Sequence, residues 1–149
     1  MIRAIPVGAD GCCDPLFSVK ILVVEAESIV AHDVQDMLKS WGYVVPAVVS
    51  SGEKAIEKAA ETHPDLVLMD TVLKGDMDGI DAAELIRARF DIPVVYLTAH
   101  ASDNRFQRAL MSELYSYILK PFDESELHTT IEKAIYKRNH IREQTSVIA

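Results

Sequence analysis

Long apolar runs are missing from this chain. No stretch of its 149 residues approaches the roughly 20 apolar residues of a membrane-spanning helix. Met1 to Ser18 hold a single Arg and no continuous apolar segment, so they fail as a secretory signal, and a cytoplasmic location without membrane contact is the expectation. Cysteine is scarce: Cys12 and Cys13 are adjacent, which strains a mutual disulfide and leaves no second pair for a zinc site. Basic side chains are outnumbered, 15 against 23 acidic, and the net charge of -8 repels phosphate backbones, which argues against nucleic-acid binding by the bulk surface. A hydrophobic share of 49% with 26% charged residues is that of a globular chain, and the length suits one domain.

Residues 1–18, with Pro6, Gly8, Gly11 and Pro15, carry neither helical nor alternating periodicity and read as a flexible N-terminal arm. From residue 19 a regular alternation starts. Ile21-Leu22-Val23-Val24 reads as a buried strand ending at Glu25. Ser28 then offers a cap to a helix that Gly42 stops. Tyr43 to Val49 is β-rich but contains Pro46, so it belongs on a sheet edge. Ser51-Gly52-Glu53-Lys54 opens a second helix, which His63-Pro64 closes.

Leu66-Val67-Leu68-Met69 is too short for a buried helix and suits a central strand, ending at Asp70. A third helix turns Ile80, Ala83, Ile86 and Phe90 inward. Pro93 to Thr98 is a fourth strand, and Ser102-Asp103-Asn104 caps a short helix to about Met111. Tyr115 to Leu119 is a more polar fifth strand, placed on the other edge. The last helix carries Leu127, Thr130, Ile131, Ala134 and Ile135 at helical spacing, and beyond residue 138 the pattern fades into a tail, 139–149.

Five alternations of strand and helix with short loops imply an α/β fold, a doubly wound five-stranded parallel sheet in the flavodoxin-like order 2-1-3-4-5. That order puts the Pro46 and Tyr117 strands on the edges. It also brings Glu25, Asp70, Thr98 and Lys120 to the C-terminal ends of four strands, where ligands of such sheets bind. Two carboxylates, a hydroxyl and an ammonium suit phosphoryl chemistry. The loop Lys74 to Gly79 looks superficially like a calcium loop, with Asp76, Asp78 and Gly79 at its third, fifth and sixth positions. Its first position would be Lys74 and its twelfth Leu85, so solvated turn residues are the better account.

Residues 19–138 resemble the receiver domain of two-component response regulators, a stand-alone domain of chemotaxis-regulator type. The resemblance rests on Val23-Val24-Glu25, Leu68-Met69-Asp70, Leu97-Thr98-Ala99 and Lys120-Pro121-Phe122. It implies that Asp70 accepts a phosphoryl group from a histidine kinase or phosphotransfer protein, with Thr98 bonding a phosphoryl oxygen and Lys120 as cationic partner. Tyr117 would turn inward when Thr98 moves, and the Lys120-Pro121 bond would be cis. Mg²⁺ would be held by Asp70, the Val72 backbone carbonyl and Glu25. The resemblance implies a phosphoacceptor with at most Mg²⁺-dependent self-phosphorylation and autodephosphorylation, not an ordinary enzyme. Output would pass to a downstream protein docked on the helix after the fourth strand, the fifth strand and the last helix, with no attached DNA-binding domain and the chain a monomer or weak dimer.

One position departs from the pattern. The family has two adjacent acids after the first strand, and here they read Glu25-Ala26. The missing carboxylate is the one that the resemblance assigns to direct metal contact, so Mg²⁺ is expected to bind weakly. The alternative is a phosphorylation-impaired receiver that acts as a binding module. An aspartate-nucleophile phosphatase would carry a second Asp at position 72, which is Val72, and a nucleotide-binding enzyme would carry a Gly-rich loop where Glu25-Ala26-Glu27-Ser28 stands.

Overall fold

The short β-branched and apolar runs at the centre of this chain become strands because both of their faces are covered. The computed structural model describes residues 19–98 and 116–148. The strands are β1 (Ile21–Val24), β2 (Val48–Val49), β3 (Leu66–Asp70), β4 (Val94–Thr98) and β5 (Ser116–Leu119). They form one parallel sheet in the order β2-β1-β3-β4-β5. Every residue of β1, β3 and β4 is buried. The described helices are α1 (Ser28–Ser40), α2 (Gly52–Thr62), α3 (Gly79–Phe90) and α4 (Glu124–Ile148).

Strand side chains alternate between faces, and each face has its own helix pair. Leu22, Val67, Met69 and Tyr96 share a core with Ala59 of α2 and Ile86 of α3. Val23, Leu68, Leu97 and Ile118 share the other with Leu38 of α1 and Ile131 of α4. Fully burying one such Leu or Ile contributes roughly 1.5–3 kcal/mol. The acidic strand ends fix register as well. Sliding β3 by one residue would draw Asp70 into the apolar layer, and a buried unpaired carboxylate costs several kcal/mol.

The edge strand is shorter than expected. Pro46 lacks an N–H, and although Ile21 N–H donates to Val44 O at 2.8 Å and Val23 N–H to Ala47 O at 3.3 Å, regular pairing survives only at Val48–Val49. Ser28 does not cap α1: Glu27 is the N-cap, without a side-chain hydrogen bond, and Ser28 is the first helical residue. Gly42, at φ +93, turns the chain out of α1 as expected. Ser51 caps α2 by accepting from Lys54 N–H at 3.2 Å, and Asp78 caps α3 through Asp81 N–H at 2.8 Å.

The backbone stays helical to Ile148, where a tail from residue 139 was expected. The apolar stripe fades, but Arg138, Arg142, Glu143 and Gln144 are good helix formers, and neither Gly nor Pro follows Pro121. The expected arm with Cys12 and Cys13, and the expected helix at Ser102 to Met111, lie outside the described residues. Among the described residues no helix is long and apolar enough to cross a membrane.

Candidate functional site

Parallel strands all end on the same edge, so the residues that close them meet there. Backbone bonds carry the ladder past the last strand residues: Glu25 N–H donates to Val49 O at 2.9 Å, Thr71 N–H to Leu97 O at 3.2 Å and Lys120 N–H to Thr98 O at 2.8 Å. The positions of Glu25, Asp70, Thr98 and Lys120 are thus set by the sheet and not by flexible loops. The Lys120-Pro121 peptide is cis, as the resemblance implies.

Lys120 is the hub of the charge cluster. Its ammonium lies 2.9 and 3.0 Å from Glu25 Oε1 and Oε2, 3.4 Å from Asp70 Oδ2 and 3.9 Å from Glu27 Oε1. The ammonium donates to Glu25 Oε2, while the buried Oε1 is in charge contact without a well-directed hydrogen bond. Glu27 N–H also donates to Oε2, at 3.1 Å. Asp70 accepts Ala26 N–H on Oδ2 at 3.3 Å and Val72 N–H on Oδ1 at 3.2 Å. The Asp70 side chain is 8% exposed and that of Glu25 fully buried, with one partly buried ammonium facing three carboxylates. Burial, with a hydrogen bond to the Asp70 carboxyl, pushes Glu25 up to about 7, against the pull of Lys120 and the Glu27 N–H.

Two neighbours were not singled out in the sequence. The Thr71 hydroxyl donates to the Thr98 hydroxyl at 3.1 Å, with both side chains buried. Gly79 opens α3 against the backbone of Asp70 and Thr71: its N–H donates to Thr71 O at 3.0 Å, and a Cβ there would collide with the Asp70 carbonyl oxygen. The sequence signal for Gly79 was present as the last residue of the Lys74 to Gly79 loop, but it was read only as a turn residue. Tyr117 lies on β5, three residues before Lys120, and is 45% exposed. Val72 is 44% exposed at the mouth of the site, with its amide turned to Asp70.

The family model of the response regulator receiver domain matches residues 21–132. The chain belongs to the response regulator receiver family. It is 34% identical over 122 residues to the transcriptional regulatory protein PdtaR of Mycobacterium tuberculosis, covering 82% of this chain and 59% of that protein, so the chain spans about three fifths of that relative's length. Its fold is similar to the receiver domain of a modulated diguanylate cyclase from Desulfovibrio desulfuricans, with TM-score 0.77, 33% identity and coverage of 82% of this chain and 97% of that one. A third relative is the receiver domain of the sensor histidine kinase PA1611 from Pseudomonas aeruginosa, with TM-score 0.71, 31% identity and coverage of 79% and 98%. That structure has a magnesium ion coordinated in its active-site cleft.

Receiver domains accept phosphoryl groups, bind Mg²⁺ at an acidic pocket, and interact with histidine kinases or phosphotransfer proteins and with downstream proteins. In this receiver domain the donor set fits a cation in reduced form. Glu25 Oε1 is a buried oxygen without a directed hydrogen bond, and Asp70 lies beside it across Lys120. Position 26 offers a methyl group, and among the described residues no group of three or more His, Cys, Asp and Glu is placed to hold a metal ion. Two carboxylates are within what Mg²⁺ accepts, because it keeps several of its waters.

Proposed function

We propose that residues 19–138 act as a phosphorelay receiver in which Asp70 takes a phosphoryl group from a histidine kinase or phosphotransfer protein. A carboxylate oxygen of Asp70 attacks the phosphorus of a phosphohistidine. The P–N bond breaks, its electron pair stays on the imidazole nitrogen, which takes a proton, and an acyl phosphate remains on Asp70. The Ala26 and Val72 N–H groups hold the attacking carboxylate in one orientation, at 3.3 and 3.2 Å. Lys120 faces the oxygens on which charge gathers, and Thr98 supplies a hydroxyl donor to the transferred group. Mg²⁺, held by Asp70, the Val72 carbonyl and Glu25, would neutralise phosphoryl charge when bound.

The observation that carries this reading is the single carboxylate of Asp70, nearly buried, oriented by two backbone N–H groups and 3.4 Å from an ammonium. Output would pass through a protein docked near Tyr117 and Leu119 of β5 and Tyr136 of α4, all exposed. Exposure to a small acyl phosphate with Mg²⁺ should add the mass of one phosphoryl group, and Asp70→Asn should abolish the gain. An Asp70→Asn protein that still gains that mass refutes the assignment. Ala26 favours a second reading, a receiver that binds partners without turnover, and it prevails if the unaltered protein stays unlabelled at high donor concentration.

A further inference from the structure

Thr71 directly follows Asp70 and takes no part in the transfer described above. Its hydroxyl nevertheless donates to Thr98 Oγ1 at 3.1 Å, in a pair that is 6% and 0% exposed. The register explains the contact. Asp70 pairs with Leu97, so the next residues, Thr71 and Thr98, stand opposite each other. The ladder carries on one step beyond β3, because Thr71 N–H donates to Leu97 O at 3.2 Å, which holds Thr71 beside β4. In this arrangement the Thr98 oxygen is held on Thr71, the residue after Asp70, at 3.1 Å.

We propose that Thr71 is a positioning residue that holds the Thr98 hydroxyl in the resting arrangement and sets how readily the site passes to its phosphorylated one. The inference rests on Thr98 being the hydroxyl that bonds a phosphoryl oxygen. A threonine side chain is stiff about χ1 and occupies discrete staggered wells. A hop between wells moves Oγ1 by more than about 2 Å, which ends a 3.1 Å bond. The Thr71 bond then exists in one of the two states only, and only such a differential contact biases an equilibrium. A neutral hydrogen bond is worth a change of about two- to tenfold. If Thr98 reached the phosphoryl group while still accepting from Thr71, the bond would polarise the Thr98 O–H and help, so the sign of the effect separates the two cases.

The test compares Thr71→Val, which keeps the volume and loses the hydroxyl, with Thr71→Ser, which keeps the hydroxyl. The readout is the affinity for beryllofluoride at one fixed Mg²⁺ concentration, followed by the ring resonances of Tyr117, with far-UV circular dichroism confirming that each variant is folded. Thr71→Val should bind about two- to tenfold tighter and Thr71→Ser should match the unaltered protein. In a Thr98→Ala background Thr71→Val should change nothing. Unchanged or weaker binding by Thr71→Val, or an effect that persists without the Thr98 hydroxyl, overturns the proposal. If Thr98→Ala alone leaves the affinity unchanged, the failure lies in the role given to Thr98.

Discussion

Replacing Ala26 by aspartate should reverse the effect of Mg²⁺ removal on this fold from nearly neutral to clearly destabilising. The Ala26 N–H touches Asp70 Oδ2 at 3.3 Å, so a carboxylate on residue 26 joins Glu25, Glu27 and Asp70 around the one Lys120 ammonium. Two unit charges about 4 Å apart interact by roughly 4 kcal/mol at an effective dielectric of about 20. Attraction to Lys120 offsets part of this, and a net loss of about 1–3 kcal/mol in metal-free protein remains, a drop of several degrees in Tm. With Mg²⁺ the sign turns. Even groups outside the direct ligands are worth about 10–100-fold in metal affinity, so a direct ligand should be worth at least roughly 1.4–2.7 kcal/mol. Thermal unfolding against Mg²⁺ concentration reads both effects. Ala26→Asp should melt lower than the unaltered protein in EDTA, and its Tm should rise at Mg²⁺ concentrations at least about tenfold lower. Equal Mg²⁺ midpoints for the two proteins would refute the reasoning, because Glu25 or Glu27 would then already supply the missing ligand.

Gly79→Ala should destabilise the fold by about 1–3 kcal/mol and slow labelling of Asp70, since the new Cβ meets a backbone carbonyl that cannot swing aside. Gly42→Ala is the control: φ +93 strains it, nothing lies within 4 Å of its Cβ, and labelling should keep its rate. In metal-free protein Glu25 should make stability fall with rising pH, because a carboxyl raised from 4.5 to about 7 binds its proton more tightly in the folded state. That contribution is fully present below pH 4.5 and lost as pH passes 7, on the order of 3 kcal/mol at most. Urea midpoints of Glu25→Gln and the unaltered protein at pH 5 and pH 8 should therefore differ in slope, and parallel curves would count against a raised Glu25.

The central sheet was legible because it needed only composition. Ile21–Val24, Leu66–Asp70 and Val94–Thr98 are apolar throughout until a polar residue closes or follows them, and Pro46 marked an edge. The same strand ends pointed to Glu25, Asp70, Thr98 and Lys120. Contacts set by register were not legible. Nothing in the sequence pattern marks Thr71, and only the pairing of Asp70 with Leu97 puts its hydroxyl against Thr98. Gly79 resembled any turn glycine until the approach of α3 to the Asp70 carbonyl was visible. The extent of α4 was not legible because the apolar repeat in the sequence stops near residue 138 while helix-compatible residue types run on.

The bond from Lys120 to Glu25 joins residues 95 apart in sequence, and that from Ala26 to Asp70 joins residues 44 apart. Neither pair exists in an unfolded chain, and the Lys120 pair is absent from one whose fifth strand has not docked. Under the proposed function, acceptance of a phosphoryl group by Asp70 with Lys120 in place would therefore also report that the chain has closed from its first strand to its last. Linkage makes the report reciprocal: any ion that binds this junction only in the folded state, at 100 times its Kd, adds about 2.7 kcal/mol to the stability of the whole sheet. A lesion that loosens β5 would strip Asp70 of its cation while leaving its carboxylate in place, so chemical competence should be lost before the core melts.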